Sequence, residues 1–294
     1  MSANLDSIIQ IGHDVTSVKY HSLAVGVVLF YDYFLTLADE IKYVWSEKRS
    51  WVFWLYVFIR YFPMTWQFWQ LGMAYAPQFD HGVCEKTAWY PVFGFIFCTF
   101  LAQVMLILRT YAVMMKNLPI TIGFTIFAAS QFVFGLWGTV QAAKLGARTL
   151  PPIPLDAYHL CVFVLHRSVE VIYASLSLFF DCLAFLLTIR WARKSKALSG
   201  GNFTTVLDSI KEGATWYFLL IFSSHFALVM TLSFGRQPIQ LLPASGIVVY
   251  LSVMVSRTML SLRKAADSRL EDSQTPVEPP ASTPSLQGVE LSRL

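Results

Sequence analysis

The chain has 294 residues and a formal net charge of +4; 55% of its residues are hydrophobic, 16% aromatic and only 14% charged. Soluble domains carry about 25% charged residues, and a globule of this length could not bury so much apolar surface, which points away from a soluble protein and toward one whose outer faces are solvated by lipid. The mild positive charge is scattered between apolar runs, so nothing resembles a nucleic-acid surface.

Residues 1–19 read as a short extracellular or luminal N-terminus. They have no basic region leading into a short apolar stretch and a small-residue cleavage site, so the first apolar run is expected to act as an uncleaved signal anchor. A spanning helix needs about 20 mostly apolar residues. Seven stretches qualify: Tyr20–Ala38, Trp51–Tyr75, Trp89–Met114, Leu118–Ala142, Ser168–Trp191, Thr215–Phe234 and Ile239–Leu262. The expected fold class is therefore all-α, a membrane bundle of seven transmembrane helices over residues 20–264. The runs are continuously apolar, whereas strands of a membrane barrel would alternate. Pro63 and Pro243 fall inside runs, where spanning helices tolerate them. Trp45, Trp51, Trp89 and Trp191 lie near run ends, as an aromatic belt requires. Residues 265–294 are rich in Ser, Pro and Glu with few large apolar side chains, and are expected to be a disordered cytosolic tail. No internal repeat of useful strength is seen, which weakens an inverted-repeat transporter architecture.

Basic residues orient the chain. With the N-terminus outside and the C-terminus inside, 15 Lys and Arg fall on the cytosolic side, 6 on the outer side, and Arg60 lies within a span. This is a clear positive-inside bias. The sequon Asn202-Phe203-Thr204 falls in a basic inner loop, so glycosylation there would overturn the topology. The expected location is a plasma membrane or another membrane of the secretory pathway, with the lipid bilayer as the first partner.

Cys98 and Cys182 lie inside spans and read as small hydrophobes. Cys84 and Cys161 fall on the oxidising outer side, where a disulfide between them would tie the start of the third span to the long loop before the fifth. This layout resembles G-protein-coupled receptors, which share seven spans, an outside N-terminus and such a bridge. Arg109, in Leu108-Arg109-Thr110-Tyr111, sits at the inner end of span three, where those receptors often carry a functional Arg. The resemblance stops there: no Asp-Arg-Tyr surrounds Arg109, span six lacks Cys-Trp-x-Pro and span seven lacks Asn-Pro-x-x-Tyr. Arg109, Arg193, Lys194 and Lys196 are the candidates for coupling to a cytosolic signalling partner. A basic residue at a cytosolic helix end is also what positive-inside sorting places there.

Ionisable groups within spans are costly and mark candidate sites. Asp32, Thr36 and Glu40 are spaced by four and share one helical face. Asp32 and Arg60 each sit roughly 10–15 Å inside the cytosolic boundary at 1.5 Å per residue, on neighbouring antiparallel helices. An Asp32–Arg60 ion pair is therefore expected, since burying either charge alone is expensive. It would either staple two helices or form a polar centre for a ligand, proton or ion. Asp181, at similar depth in span five, could join this network of Asp32, Thr36 and Arg60. His225 reads as a hydrogen-bonding group within the bundle. Gln67, Gln70, Gln103 and Gln131 can bridge helices. There is no His-Glu-x-x-His, Cys-x-x-Cys, Gly-x-Ser-x-Gly or phosphate-binding Gly loop, and the six His form no spaced cluster. No catalytic residue, metal or cofactor is indicated.

Tyr31-Asp32, Leu35-Thr36-Leu37, Asp39-Glu40, Trp45 and Arg60-Tyr61 together resemble the signature of a fungal family of multi-span membrane proteins, abundant in basidiomycetes and defined by a domain of unknown function. Leu108-Arg109-Thr110-Tyr111-Ala112 is similar to that family as well. The motif covers about Leu23 to Phe68. The resemblance implies membership and a membrane location, and carries over no activity. A receptor-like role in ligand sensing or signalling is the leading expectation. The alternative is a small-molecule or ion transporter or channel built on the Asp/Arg network; a membrane enzyme or scaffold is the weakest reading.

Overall fold

The computed structural model describes residues 2–46, 50–76, 81–87, 89–114, 118–145, 147–150, 160–163, 166–198, 204–236, 239–240 and 242–274. These form α1 (Ser2–Glu40), which runs into a π-helical turn (Ile41–Trp45), then α2 (Trp51–Tyr75), α3 (His81–Thr87), α4 (Trp89–Val113) and α5 (Leu118–Leu145). A hairpin of β1 (Ala147–Leu150) and β2 (Leu160–Phe163) follows, then α6 (Arg167–Leu198), α7 (Thr204–Phe234) and α8 (Leu242–Gln274). Apart from the hairpin, the described secondary-structure elements are helices.

Five helices are long and apolar enough to cross a membrane: the α1 region from Ile9 to Trp45, α4 over Trp89–Leu108, α5 over Leu118–Leu145, α6 over Arg167–Arg190 and α8 over Leu242–Ser261. Among the described side chains of α7, Leu219–Phe234 form a shorter apolar stretch. Along α2, Arg60, Gln67 and Gln70 interrupt the apolar run, and Arg60 and Gln67 are buried. The molecule is polar within and apolar without. Tyr31, Phe34 and Leu35 of α1, Ile126, Val133 and Trp137 of α5, and Phe179 and Leu186 of α6 are exposed, while Asp32, Glu40, Arg60, Gln103, Gln131 and His225 are buried. Water would not select that arrangement; hydrocarbon does, because only the interior offers hydrogen-bond partners.

Side-chain pairs fix the direction of each helix. Gln67 donates to the Ser22 carbonyl at 2.8 Å and Arg60 to the Thr36 hydroxyl at 2.6 Å, so α2 runs antiparallel to α1. Trp66 to the Pro91 carbonyl and Phe62 against Phe97 do the same for α2 and α4. Gln103 to Gln131, then Phe124 against Phe180, continue the alternation through α5 and α6, and Arg167 to the Leu232 carbonyl reverses α7 on α6. α8 runs parallel to α1, from Arg236 beside Asp14 to Arg263 on the Tyr43 carbonyl. It packs against α1, α2, α4 and α7, and Ile247, Leu251 and Val255 join Ile59, Leu101, Met105 and Leu228 in the main core cluster.

Local chemistry explains two features that position the site. Pro63 lies inside α2 and has no N–H to give the carbonyl four residues back, which is that of Ile59. Ser252 of α8 donates to that carbonyl at 3.0 Å, so the missing bond is replaced from a neighbour. Gly94 lets α4 lie against the Trp66 indole; a Cβ there would run into the ring.

Several boundaries differ from those expected from hydropathy. α1 is helical from Ser2, and Asp14 and Val15 within it are buried. α6 continues to Leu198, α7 starts at Thr204 and α8 continues to Gln274; hydropathy does not register amphipathic helical extensions beyond an apolar span. Residues 275–294 of the expected disordered tail lie outside the described residues. The hairpin, with Thr149 opposite Cys161, and α3 were not expected. They lie together at the end of the bundle where α2 finishes, since α3 packs on the hairpin and β2 touches α2.

Candidate functional site

At the opposite end, the C-terminal turns of α1 meet the first half of α2 and the second half of α8. Glu40 and Arg60 are 0% and 3% exposed, and Arg60 Nε lies 2.6 Å from Glu40 Oε2. The N–H does not point along that line, so this is a close ion pair rather than a directed hydrogen bond. Arg60 directs its hydrogen bonds elsewhere, from Nη2 to the Thr36 hydroxyl at 2.6 Å and the Tyr33 carbonyl at 3.3 Å. Its guanidinium also stands over the Tyr33 ring, 5.1 Å from the centroid. The other Glu40 oxygen, Oε1, accepts from the Tyr61 hydroxyl at 2.9 Å and the Trp45 indole at 3.2 Å. Both charges are thus compensated inside an apolar bundle, where either alone would be expensive.

The π-helical turn is needed for the Trp45 contact. In an α-helix, residues five apart point about 140° away from each other, at 3.6 residues per turn. The wider π turn pairs residue i with i+5 and so brings Trp45 back over Glu40. Val44 of the same turn packs in a small apolar cluster with Phe53 and Tyr56 of α2 and Leu260 of α8.

Asp32 is engaged by α8. Its Oδ1 accepts from Arg257 Nε at 2.6 Å, and the Arg257 side chain is 50% exposed. The Thr36 hydroxyl donates to the Asp32 carbonyl at 2.7 Å while accepting from Arg60. Asp32, Thr36 and Arg60 are therefore brought together as the sequence suggests, but with a different pairing. The acid that neutralises Arg60 is Glu40, and the cation that neutralises Asp32 is Arg257, so the expected Asp32–Arg60 pair is replaced by two pairs linked through Thr36. Glu40 sits one turn beyond Thr36 on the same face, and that i, i+4 spacing is the signal that identifies it. Nothing in the local sequence singles out Arg257, which reads as one more positive-inside residue; only the packing of α8 against α1 reveals it.

Asp181 stands apart from this cluster. It lies on α6 with its Oδ2 3.2 Å from His225 Nδ1 on α7. Cys84 lies in α3 and Cys161 in β2, elements that are in contact; their side chains are outside the described residues. The side chains of Arg109, on α4, and of Arg193, Lys194 and Lys196, on the last part of α6, are outside them too. Among the described residues no group of three or more His, Cys, Asp and Glu could hold a metal ion.

The fold and the site define a multi-pass membrane protein, a helical bundle with ion pairs buried where its first, second and last helices meet. Residues 20–65 match the model of a family of unknown function, DUF6533. No curated protein matches the chain. The matched segment contains Asp32, Tyr33, Thr36, Glu40, Trp45, Arg60 and Tyr61, every group of the cluster except those supplied by α8.

Proposed function

We propose that the chain is a receptor-like signalling protein with seven transmembrane helices, its N-terminus outside and its C-terminus cytosolic, and that the match over residues 20–65 reflects membership of the whole chain in the resembled family. The observation that carries the receptor reading is the position of the ion-pair cluster. It joins α1, α2 and α8 at the end of the bundle from which α6, α7 and α8 run on beyond their apolar parts. A change of packing there would be delivered to helical projections that a cytosolic partner can contact. Buried ion pairs suit such a role because their partners can be exchanged only in discrete steps, which makes the junction bistable rather than continuously deformable. The α3–hairpin cover at the far end, with Cys84 and Cys161 on its two parts, would then form the outer face.

Electron-resonance distance measurements in lipid nanodiscs test this reading, with spin labels at exposed Ile41 and Ser261 in the wild type and in Glu40→Gln. A receptor-like junction gives a second, longer distance population in the variant while helix content stays unchanged. One unshifted distribution, or loss of the fold, identifies a passive staple and removes the receptor reading. Ion flux through liposomes carrying the wild type would put the transport reading in its place.

A further inference from the structure

Between α6 and α7 lies a second polar site that the ion-pair cluster does not use. His225 is 1% exposed, and the Asp181 side chain is 11% exposed. His225 Nδ1 is 3.2 Å from Asp181 Oδ2, yet the two are not aligned for a hydrogen bond, and Nδ1, Nε2 and Oδ2 are all buried without a hydrogen-bond partner. An imidazole always carries at least one N–H and, when neutral, one acceptor nitrogen. A buried polar atom left without a partner costs about 1–3 kcal/mol. Nδ1 and Oδ2 face each other as an ion-pair contact, and Nε2 is held by no hydrogen bond of the protein, so no hydrogen bond within the bundle fixes the protonation of this ring.

The charged groups nearby bear on that protonation. Along the apolar stretch of α7, Leu219–Phe234, His225 is the sole ionisable residue. On α6 the charged neighbours are Arg167 and Glu170 in the first turn and Arg190 at the far end of the span, with Tyr173 and Cys182 the nearer titratable side chains. Arg167 is turned to the Leu232 and Ser233 carbonyls, at the α7 C-terminus. Among the elements packed on this pair, α5 contributes Lys144 in its last turn, α4 contributes Arg109 near its C-terminus and Cys98 midway, and α8 contributes Tyr250 together with Arg257, which is already paired with Asp32. Among the described residues, the ionisable group paired with Asp181 is the His225 imidazole.

We propose that the Asp181–His225 couple is a proton-binding site within the bundle, with Nε2, the ring nitrogen turned from Asp181 and without a hydrogen-bond partner, as the atom where the proton enters. The balance is simple. With Asp181 ionised and the imidazole neutral, the couple carries one net negative charge. A proton taken from water forms the N–H bond at Nε2, the hydroxide staying in the solvent, and leaves the couple without net charge. That change alters the attraction between α6 and α7, two of the three helices that run on beyond their apolar parts toward the proposed cytosolic face. The proposal stands independently of the receptor reading, since a proton site would serve a sensor or a transporter.

Histidine C2 hydrogen–deuterium exchange, read by mass spectrometry on the full chain in nanodiscs, tests it without altering the protein. The expected result is a sigmoidal, pH-dependent rate profile for His225, as an imidazole that gains a proton gives. Exposed His13 and His166 serve as internal references. In Asp181→Asn the midpoint is expected to move by about one pH unit or more, the size of effect a neighbouring charge produces, while Asp181→Glu restores the wild-type profile. A flat profile at His225 beside titrating references overturns the proposal. So does a midpoint that Asp181→Asn leaves in place. If the Asn variant does not fold, the wild-type profile and the Glu variant decide the matter.

Discussion

At the scale of single residues, the cluster is a set of charges whose value depends on burial. Replacing Glu40 by Gln leaves the Arg60 guanidinium buried without its acid, and breaking a buried pair from one side costs about 3–5 kcal/mol. Glu40→Gln is therefore expected to lower stability by about 3 kcal/mol in SDS-titrated unfolding from mixed micelles. Adding Arg60→Gln should recover part of that loss, because the double variant removes both charges. The coupling in that double-mutant cycle is expected to be about 1–3 kcal/mol, and larger than the coupling between Asp32→Asn and Arg60→Gln. The reverse ranking would restore the Asp32–Arg60 pairing that depth alone suggests. Asp32→Asn by itself should be milder, at about 1 kcal/mol, because the half-exposed Arg257 can carry its head toward the interface. Ser252→Ala tests a neutral contact in the same region: it orphans the Ile59 carbonyl that Pro63 leaves free, at about 1 kcal/mol.

At the scale of elements, legibility followed the nature of the signal. Trp51–Tyr75 and the starts at Trp89 and Leu118 were readable because an apolar run of bilayer length is a strong one-dimensional pattern. The extension of α6 past Trp191 and the early starts of α1 and α7 were not, since those turns are amphipathic and hydropathy averages them away. The π turn has no compositional mark; it brings Trp45 onto Glu40, which Arg60 and Tyr61 of another helix also contact. The hairpin, too, lies in a stretch too short and mixed to read. Where helices approach closely, the sequence offers a glycine and no reason for it. Gly94 and Gly123 supply that reason by contrast. Gly94→Ala drives a methyl into Trp66, whereas a Cβ at Gly123 meets nothing within 4 Å. Gly94→Ala should cost about 1–3 kcal/mol through overpacking. Gly123→Ala should gain up to about 1 kcal/mol from helix propensity. Thermal melts of the two variants in detergent, compared with wild type, check the sign of each.

For the whole molecule, the question is which ends of the bundle face which side, and the answer governs how both polar sites work. Seven alternating helices place the start of α1 beside the α3–hairpin cover and send the ends of α6 and α8 to the other face, as the Asp14–Arg236 and Tyr43–Arg263 contacts require. The 15 to 6 distribution of Lys and Arg supports the proposed orientation, with the Arg257 end in the cytosol. Five helices among the described residues are long and apolar enough to span; α2 carries buried Arg60 and Gln67, and in α7 the described apolar stretch, Leu219–Phe234, is shorter. If α2 and α7 both cross, the two termini lie on opposite sides. If one of them fails to cross, the termini lie on the same side; if both fail, five crossings again leave the termini on opposite sides, but the ion-pair cluster could not sit at one depth with residues from α1, α2 and α8. Single cysteines at exposed Asp6 and Lys264, in a chain whose native cysteines are replaced by Ser, distinguish an odd from an even number of crossings. A membrane-impermeant maleimide applied to intact cells is expected to label the residue-6 cysteine at once and the residue-264 cysteine only after permeabilisation. Equal labelling of both in intact cells would mean an even number of crossings. Labelling of residue 264 alone would invert the bundle, placing the basic helical extensions outside, where no cytosolic partner could reach them.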